Sequence, residues 1–181
     1  GGKRDALVLT ERLMALDEVE GSLQRADVLR SLRREDEANA LLETLADAHP
    51  NNPKVRLRLG FDALNAKRYD RAIGHFTAAS GAPLAGATDE ARLAIYGALY
   101  QVGRSHVFAE RASDDAADAL RRYIADAPAD NNLPGKDWAH FRLGELLTLN
   151  GDTDAARNHF ERALASTDDK DLVRRAKARL N

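Results

Sequence analysis

The chain repeats itself at a spacing of 34 residues: Ala26 returns as Gly60, Ala38 as Ala72, Leu42 as Phe76 and Leu45 as Ala79. A fixed period of this length marks one supersecondary unit used several times. Such a unit cannot bury both of its faces alone, so neighbours must stack. The expectation is therefore a linear array rather than one core built from unique layers. At 181 residues the chain has room for about four or five stacked helical hairpins.

Composition narrows the choice further. Leu and Ala dominate while Val, Ile and Thr are sparse, which disfavours strands. Charged residues make up 31% of the chain with both signs interspersed, and the net charge is -2. A duplex or an anionic membrane needs concentrated Lys and Arg to neutralise phosphates, so no nucleic-acid partner is expected. No apolar run approaches the roughly 18–20 residues of a membrane span, so no membrane insertion is expected either. The absence of cysteine excludes disulfides and thiolate chemistry but selects no compartment. The chain opens Gly1-Gly2-Lys3 without an initiator Met, and a trimmed leader or an added scar is the expected reason.

Apolar residues recur at three- and four-residue steps almost throughout, the spacing of amphipathic helices, with breaks at Gly, Pro, Asn and Asp. The pattern predicts an N-terminal helix over 5–17 with Leu9, Leu13 and Leu16 on one side. Hairpins follow over 22–49, 53–80, 89–127 and 136–165, with a last helix over 170–180. The third unit is irregular: Leu93, Tyr96, Gly97 and Tyr100 form the packing side of its first helix. Its connector, 104–113, is unusually long: it is a surface loop or, as favoured here, an extension of the helix through His106-Val107-Phe108-Ala109 with a shorter loop. A second long connection, 130–136, carries Asn131, Asn132, Pro134 and Gly135.

Two stretches carry a resemblance. Leu59-Gly60-x-x-Ala63 followed by Tyr69-x-x-Ala72-x-x-x-Phe76-x-x-Ala79 resembles the tetratricopeptide repeat, as does Leu143-Gly144-x-x-Leu147 followed by Gly151 and Ala156-x-x-x-Phe160-x-x-Ala163. Small residues let two antiparallel helices approach, and the large ones fill the space against the next hairpin. The resemblance implies an all-α, right-handed superhelix of about four hairpins with a helix capping each end.

Catalytic chemistry finds little support in the residues. The five histidines (His49, His75, His106, His140, His159) include no pair four apart, so no helix offers a two-histidine zinc face. His140 stands out only because Trp138 and Phe141 flank it. The acidic pairs at Asp114-Asp115, Asp152-x-Asp154 and Asp168-Asp169 all fall at predicted helix starts, where carboxylates cap free amides. Ser105-His106 lacks the Gly-x-Ser-x-Gly elbow of a hydrolase nucleophile. No enzyme, cofactor or metal site is expected.

The resemblance also implies that the first helix of each hairpin lines a concave groove. Carried over by position, the groove residues are Leu57, Arg58, Phe61 and Asn65 in the second hairpin and Trp138, Phe141, Arg142 and Glu145 in the fourth. Leu23, Asp27 and Arg30 stand at these places in the first hairpin, with Lys54, Leu64 and Thr148 beside the sets in the second and fourth. Some family members clamp the C-terminal carboxylate of heat-shock chaperones with Lys and Asn at such places. Here Leu23 and Asp27, then Leu57 and Phe61, stand there instead, so chaperone-tail binding is not expected. An apolar groove edged by Arg58 and Arg142 fits an amphipathic or extended peptide. The expected function is a scaffold for a protein or peptide partner. The alternative is a structural or self-association module of a larger or envelope protein, its groove filled by its own N-terminal helix or by a second copy.

Overall fold

Four times along the chain a helix ends in the same turn. The computed structural model describes residues 2–181, with side chains from Asp5 onward, and Gly1 lies outside the described residues. Its helices are α1 (Gly2–Leu16), α2 (Glu18–Ser31), α3 (Glu35–Ala48), α4 (Pro53–Asn65), α5 (Tyr69–Ser80), α6 (Asp89–Phe108), α7 (Asp114–Asp126), α8 (Lys136–Leu149), α9 (Thr153–Ala165) and α10 (Lys170–Leu180). No strand occurs among the described residues. After α2, α4, α6 and α8 one residue turns left-handed: Arg33 (φ 61°), Lys67 (57°), Glu110 (51°) and Gly151 (83°). The next amide then reaches back over the turn. Arg34 donates to the Leu29 carbonyl at 3.0 Å, Arg68 to Ala63 at 2.8 Å, Arg111 to His106 at 3.0 Å and Asp152 to Leu147 at 2.9 Å. These bonds satisfy carbonyls left free at the helix end and fold the chain into an antiparallel hairpin.

The turn fixes the register of every unit. Ala26, Gly60, Gly103 and Gly144 each stand seven residues before the left-handed residue. At the three glycines a large side chain from the second helix of the hairpin lies where a Cβ would be. A methyl on Gly60 would fall 2.4 Å from Phe76, on Gly103 2.3 Å from Leu120, and on Gly144 2.6 Å from Phe160. The repeat therefore rests on a missing side chain that lets an opposing ring or isobutyl group sit directly on the helix backbone.

The same register locates the close approach in the third unit. Gly97 is not the close-approach glycine: a Cβ there would make only ordinary contacts, 3.7 Å to Leu133 and 3.9 Å to Leu57. That position belongs to Gly103. The extra length lies at the start of the first helix, α6, which has 20 residues against 13 in α4 and 14 in α8. Thr88 caps this longer helix by accepting from the Ala91 amide at 3.3 Å. The connector after Phe108, residues 109–113, is two residues longer than the three-residue connectors of the other hairpins but keeps the same left-handed turn.

Helix starts follow the acidic signals, with one change. Asp17, Asn52, Asp152 and Asp169 accept amide hydrogens as caps of α2, α4, α9 and α10. At α7 the cap is Ser113, which accepts from Ala116, and Asp114 and Asp115 occupy the first turn.

The apolar interior divides within α4. Val55 and Leu59 complete a small core with Ala26, Leu29, Leu42 and Leu45 of the first hairpin. Ala63 and Leu64 join the main core, which runs through Phe76, Leu99, Leu120, Tyr123, Phe141 and Phe160 to Leu172 and Ala176 of α10. Between α2 and α4 the seam is ionic. Lys54 Nζ donates to Glu20 at 2.7 Å, Arg58 pairs with Asp27, and Arg30 pairs with Asp62. Helix α1 packs on α2 through Leu7 and leaves Val8, Leu9 and Leu16 exposed, so it does not fill the concave side. No helix among the described residues is long and apolar enough to cross a membrane.

Candidate functional site

The first helices α2, α4 and α6 surround a depression of about 850 Å³. Its floor is apolar: Leu23 from α2, Leu57 and Phe61 from α4, Leu93 from α6, and Leu133 with Pro134 from the connection between α7 and α8. Phe61 is held in place by its edge-on contact with Phe76, at a ring-centroid distance of 5.4 Å. Leu93 is half-buried and belongs to neither apolar core, so it faces the depression without a packing role of its own. The rim carries Asp17, Glu20, Asp27 and Glu90 against Lys54 and Arg58.

The loop at one wall is built by specific bonds. Leu133 N–H donates to the Asp130 carbonyl at 3.1 Å, Asn132 N–H to the Asp130 carboxylate at 2.7 Å, and the Tyr123 hydroxyl to the Pro134 carbonyl. Burial pushes the Tyr123 phenol well above its usual range, so it remains a donor at any working pH. The long 130–136 connection thus delivers Leu133 onto the concave face at Gly97, the position Leu57 also approaches.

The eight groove positions read from the sequence do not come together. Leu57, Arg58 and Phe61 line the depression. Asn65 is exposed and lines a different, polar cleft of about 420 Å³ with Arg30, Asp62, Arg68 and His75. Trp138 is half-buried, its indole N–H donating to Asp169 at 3.2 Å. Phe141, Arg142 and Glu145 are buried, at 1%, 7% and 9% exposure, because Phe108 from the extended α6 and the final helix α10 close over them. Arg142 donates to Glu145 at 2.6 Å, and Arg179 of α10 donates to the other carboxylate oxygen at 2.8 Å. The Arg142 guanidinium lies over the rings of Phe108, Trp138 and Phe141 at 5.3, 5.6 and 5.6 Å. Arg142 is therefore a packed cation and does not edge the groove. Arg58 is on the rim but already paired with Asp27.

Of the neighbouring positions, Leu23, Asp27 and Lys54 line the depression. Leu64 is buried, and Thr148 returns its hydroxyl to the Gly144 carbonyl. Leu93, Glu90 and the Leu133 loop were not read as groove residues from the sequence. Their signal was the elongated α6, which carries Glu90 and Leu93 alongside the first two hairpins.

Histidines do meet, across two helices instead of along one. His140 of α8 and His159 of α9 lie nearly equidistant from the Asn150-Gly151 turn, so the antiparallel hairpin brings them together. Their Nδ1 atoms are 2.9 Å apart and the ring centroids 5.1 Å apart, an N–H···N bond in which one ring donates and the other accepts. Burial, then the neighbouring His140, Arg162 and Arg121, push His159 down to about 4. Burial and Arg162 lower His140 as well, against the opposing pull of Asp137. Among the described residues no three His, Cys, Asp or Glu side chains converge as a metal site.

The pair has a measurable consequence. The unfolded chain takes up a proton at His159 below about pH 6.5, whereas the folded ring resists it until about pH 4. Stability is then full above pH 6.5 and falls as pH drops through this window. His159 contributes on the order of 1–2 kcal/mol of that loss after allowance for its partial exposure. Urea unfolding at pH 7, 5.5 and 4 should show a shallower decline for His159→Asn. An unchanged slope would mean that the ring is freely solvated.

Taken together, the repeated turn, the repeated close approach and the concave face made by first helices define an all-helical hairpin solenoid. Residues 138–166, which take in most of the fourth hairpin, match the profile of the family described as Tetratricopeptide repeat. The chain is tetratricopeptide-like: one hairpin matches the family, and the other three share its turn and register. Comparison with curated proteins finds no match.

Proposed function

We propose that the protein is a non-enzymatic scaffold that binds a partner protein or peptide in the depression between α2, α4 and α6. The observation that carries this reading is the half-exposed apolar floor, with Leu93 outside both cores, held between helices whose own seam is closed by ion pairs. Exposed aliphatic and aromatic side chains in a concave, mostly rigid setting are what a protein partner can desolvate. Tetratricopeptide-like folds act in general as interaction modules, which agrees with that chemistry.

The test begins with partners recovered by affinity capture and verified with purified components. Leu93→Glu places a charge on the floor without removing a core residue, and Leu57→Glu provides a second position. Both variants are expected to weaken a verified partner by at least tenfold, the scale of losing one well-buried apolar anchor. A verified partner that binds both variants as tightly as the parent would place the interface elsewhere.

A further inference from the structure

If the depression is the binding groove, its rim specifies the chemistry of the bound segment. Four carboxylates and two cations surround it. Lys54 is engaged by Glu20 at 2.7 Å and Arg58 by Asp27, so both cations are spent within the protein. Asp17 and Glu90 are left over. Asp17 caps α2, accepting the Glu20 amide at 2.9 Å, and Glu90 occupies the first turn of α6. Their helix dipoles offset part of each charge, with about half a positive elementary charge at each terminus. The local balance stays negative. Glu90 is close enough to feel both Lys54 and Glu20, so the acidic groups gather at one end of the groove, where α2, α4 and α6 begin. Hydrogen bonds within its own turn, then Thr88 and Lys54, hold Glu90 below the usual carboxylate range, so it is ionised at neutral pH.

The apolar part of the groove already holds one side chain in the manner of a ligand. Leu133 arrives on a non-helical segment, between Asn132 and Pro134, and approaches the bare backbone of Gly97, as Leu57 does. Its presence indicates what the floor accepts: an aliphatic side chain presented by a non-helical turn. Beside it, Leu93, Phe61 and Leu23 continue the same surface. Gln101 at the floor is 5% exposed, and its amide oxygen is engaged by Arg104 at 3.2 Å.

We propose that the depression docks a peptide segment bearing a Lys or Arg next to aliphatic residues. The cation sits by Asp17 and Glu90, and the aliphatic side chains lie over Leu57, Phe61 and Leu93 alongside Leu133. The carboxylates at the rim repel an acidic segment, and the floor has no charged group to satisfy a buried one. The two features together select a basic and aliphatic sequence over either property alone.

A random peptide library displayed on phage, panned on the folded protein and counter-selected on Leu93→Glu, tests this with no partner specified in advance. Enriched peptides should carry Lys or Arg beside two or more aliphatic residues. Synthesised and measured by fluorescence anisotropy, they should lose about fivefold in affinity on Glu90→Lys, the scale of one exposed ion pair, and weaken further as salt is raised. Acidic or uncharged consensus sequences, or an affinity unmoved by Glu90→Lys, overturn the proposal. So does a library that yields no Leu93-dependent peptide. In each of these cases a captured protein partner that still depends on Leu93 and Leu57 preserves the scaffold reading, whereas a partner indifferent to both removes that reading instead.

Discussion

Phe160→Ala is expected to lower the unfolding free energy by about 3–5 kcal/mol, the range for removing a buried aromatic side chain and leaving its cavity. For a chain of this length that corresponds to a fall in Tm of roughly 6–20 °C. Phe160 is 3% exposed, its ring lies on the backbone of Gly144, and its centroid is 5.6 Å from that of Phe141. The ring therefore joins α9 to α8 at the closest point of the hairpin. The same geometry predicts an inversion. Gly144→Ala alone forces a methyl to 2.6 Å from the Phe160 ring, and should cost about 1–3 kcal/mol through overpacking. In the Phe160→Ala background that methyl points into vacated space, and replacing a helical glycine there should be neutral or stabilising by up to about 1 kcal/mol. Thermal or urea unfolding of the four proteins gives the coupling directly. Additive effects would show that the two residues do not share one packing site.

The Gly144–Phe160 contact was legible in the sequence because its two members recur: Gly60 and Phe76 stand at the same spacing, so one pattern could be read twice. Gly103 was not. Its helix contains two glycines, and the 34-residue echo of Gly60 falls on neither. One more residue separates Gly103 from Leu120 than separates the other pairs, and the opposing residue is Leu instead of Phe. Only the left-handed turn at Glu110 reveals the register, and glutamate gives no sequence signal for that conformation. The groove shows the same division. Leu57 and Phe61 were reachable from the repeat because they sit on the regular α4. Leu133 was not, because a loop outside the repeat carries it onto the concave face. Arg142 and Glu145 illustrate the converse. Their place in the repeat reads as an open groove edge, and their burial depends on α10 and Phe108, which lie far away in sequence.

That buried pair sets the second large effect. Glu145→Leu is expected to cost about 3–5 kcal/mol, because it strands a desolvated guanidinium with no carboxylate to neutralise it. Arg142 is 7% exposed, Glu145 supplies the carboxylate it pairs with, and the three aromatic faces around it recover only part of the lost attraction. Removing both charges is a different experiment. Arg142→Met with Glu145→Leu leaves no buried ion, keeps apolar volume among Phe108, Trp138 and Phe141, and should restore stability to within about 1 kcal/mol of the parent or above it. Arg179 separates attraction from desolvation. Its side chain is 52% exposed, so Arg179→Ala should cost less than about 1 kcal/mol although it removes a bond to the same carboxylate. Urea unfolding at fixed pH and ionic strength orders the three variants, and the order is the test. If Glu145→Leu proves no more costly than Arg179→Ala, water reaches the Arg142 guanidinium, and α10 does not seal the end of the stack.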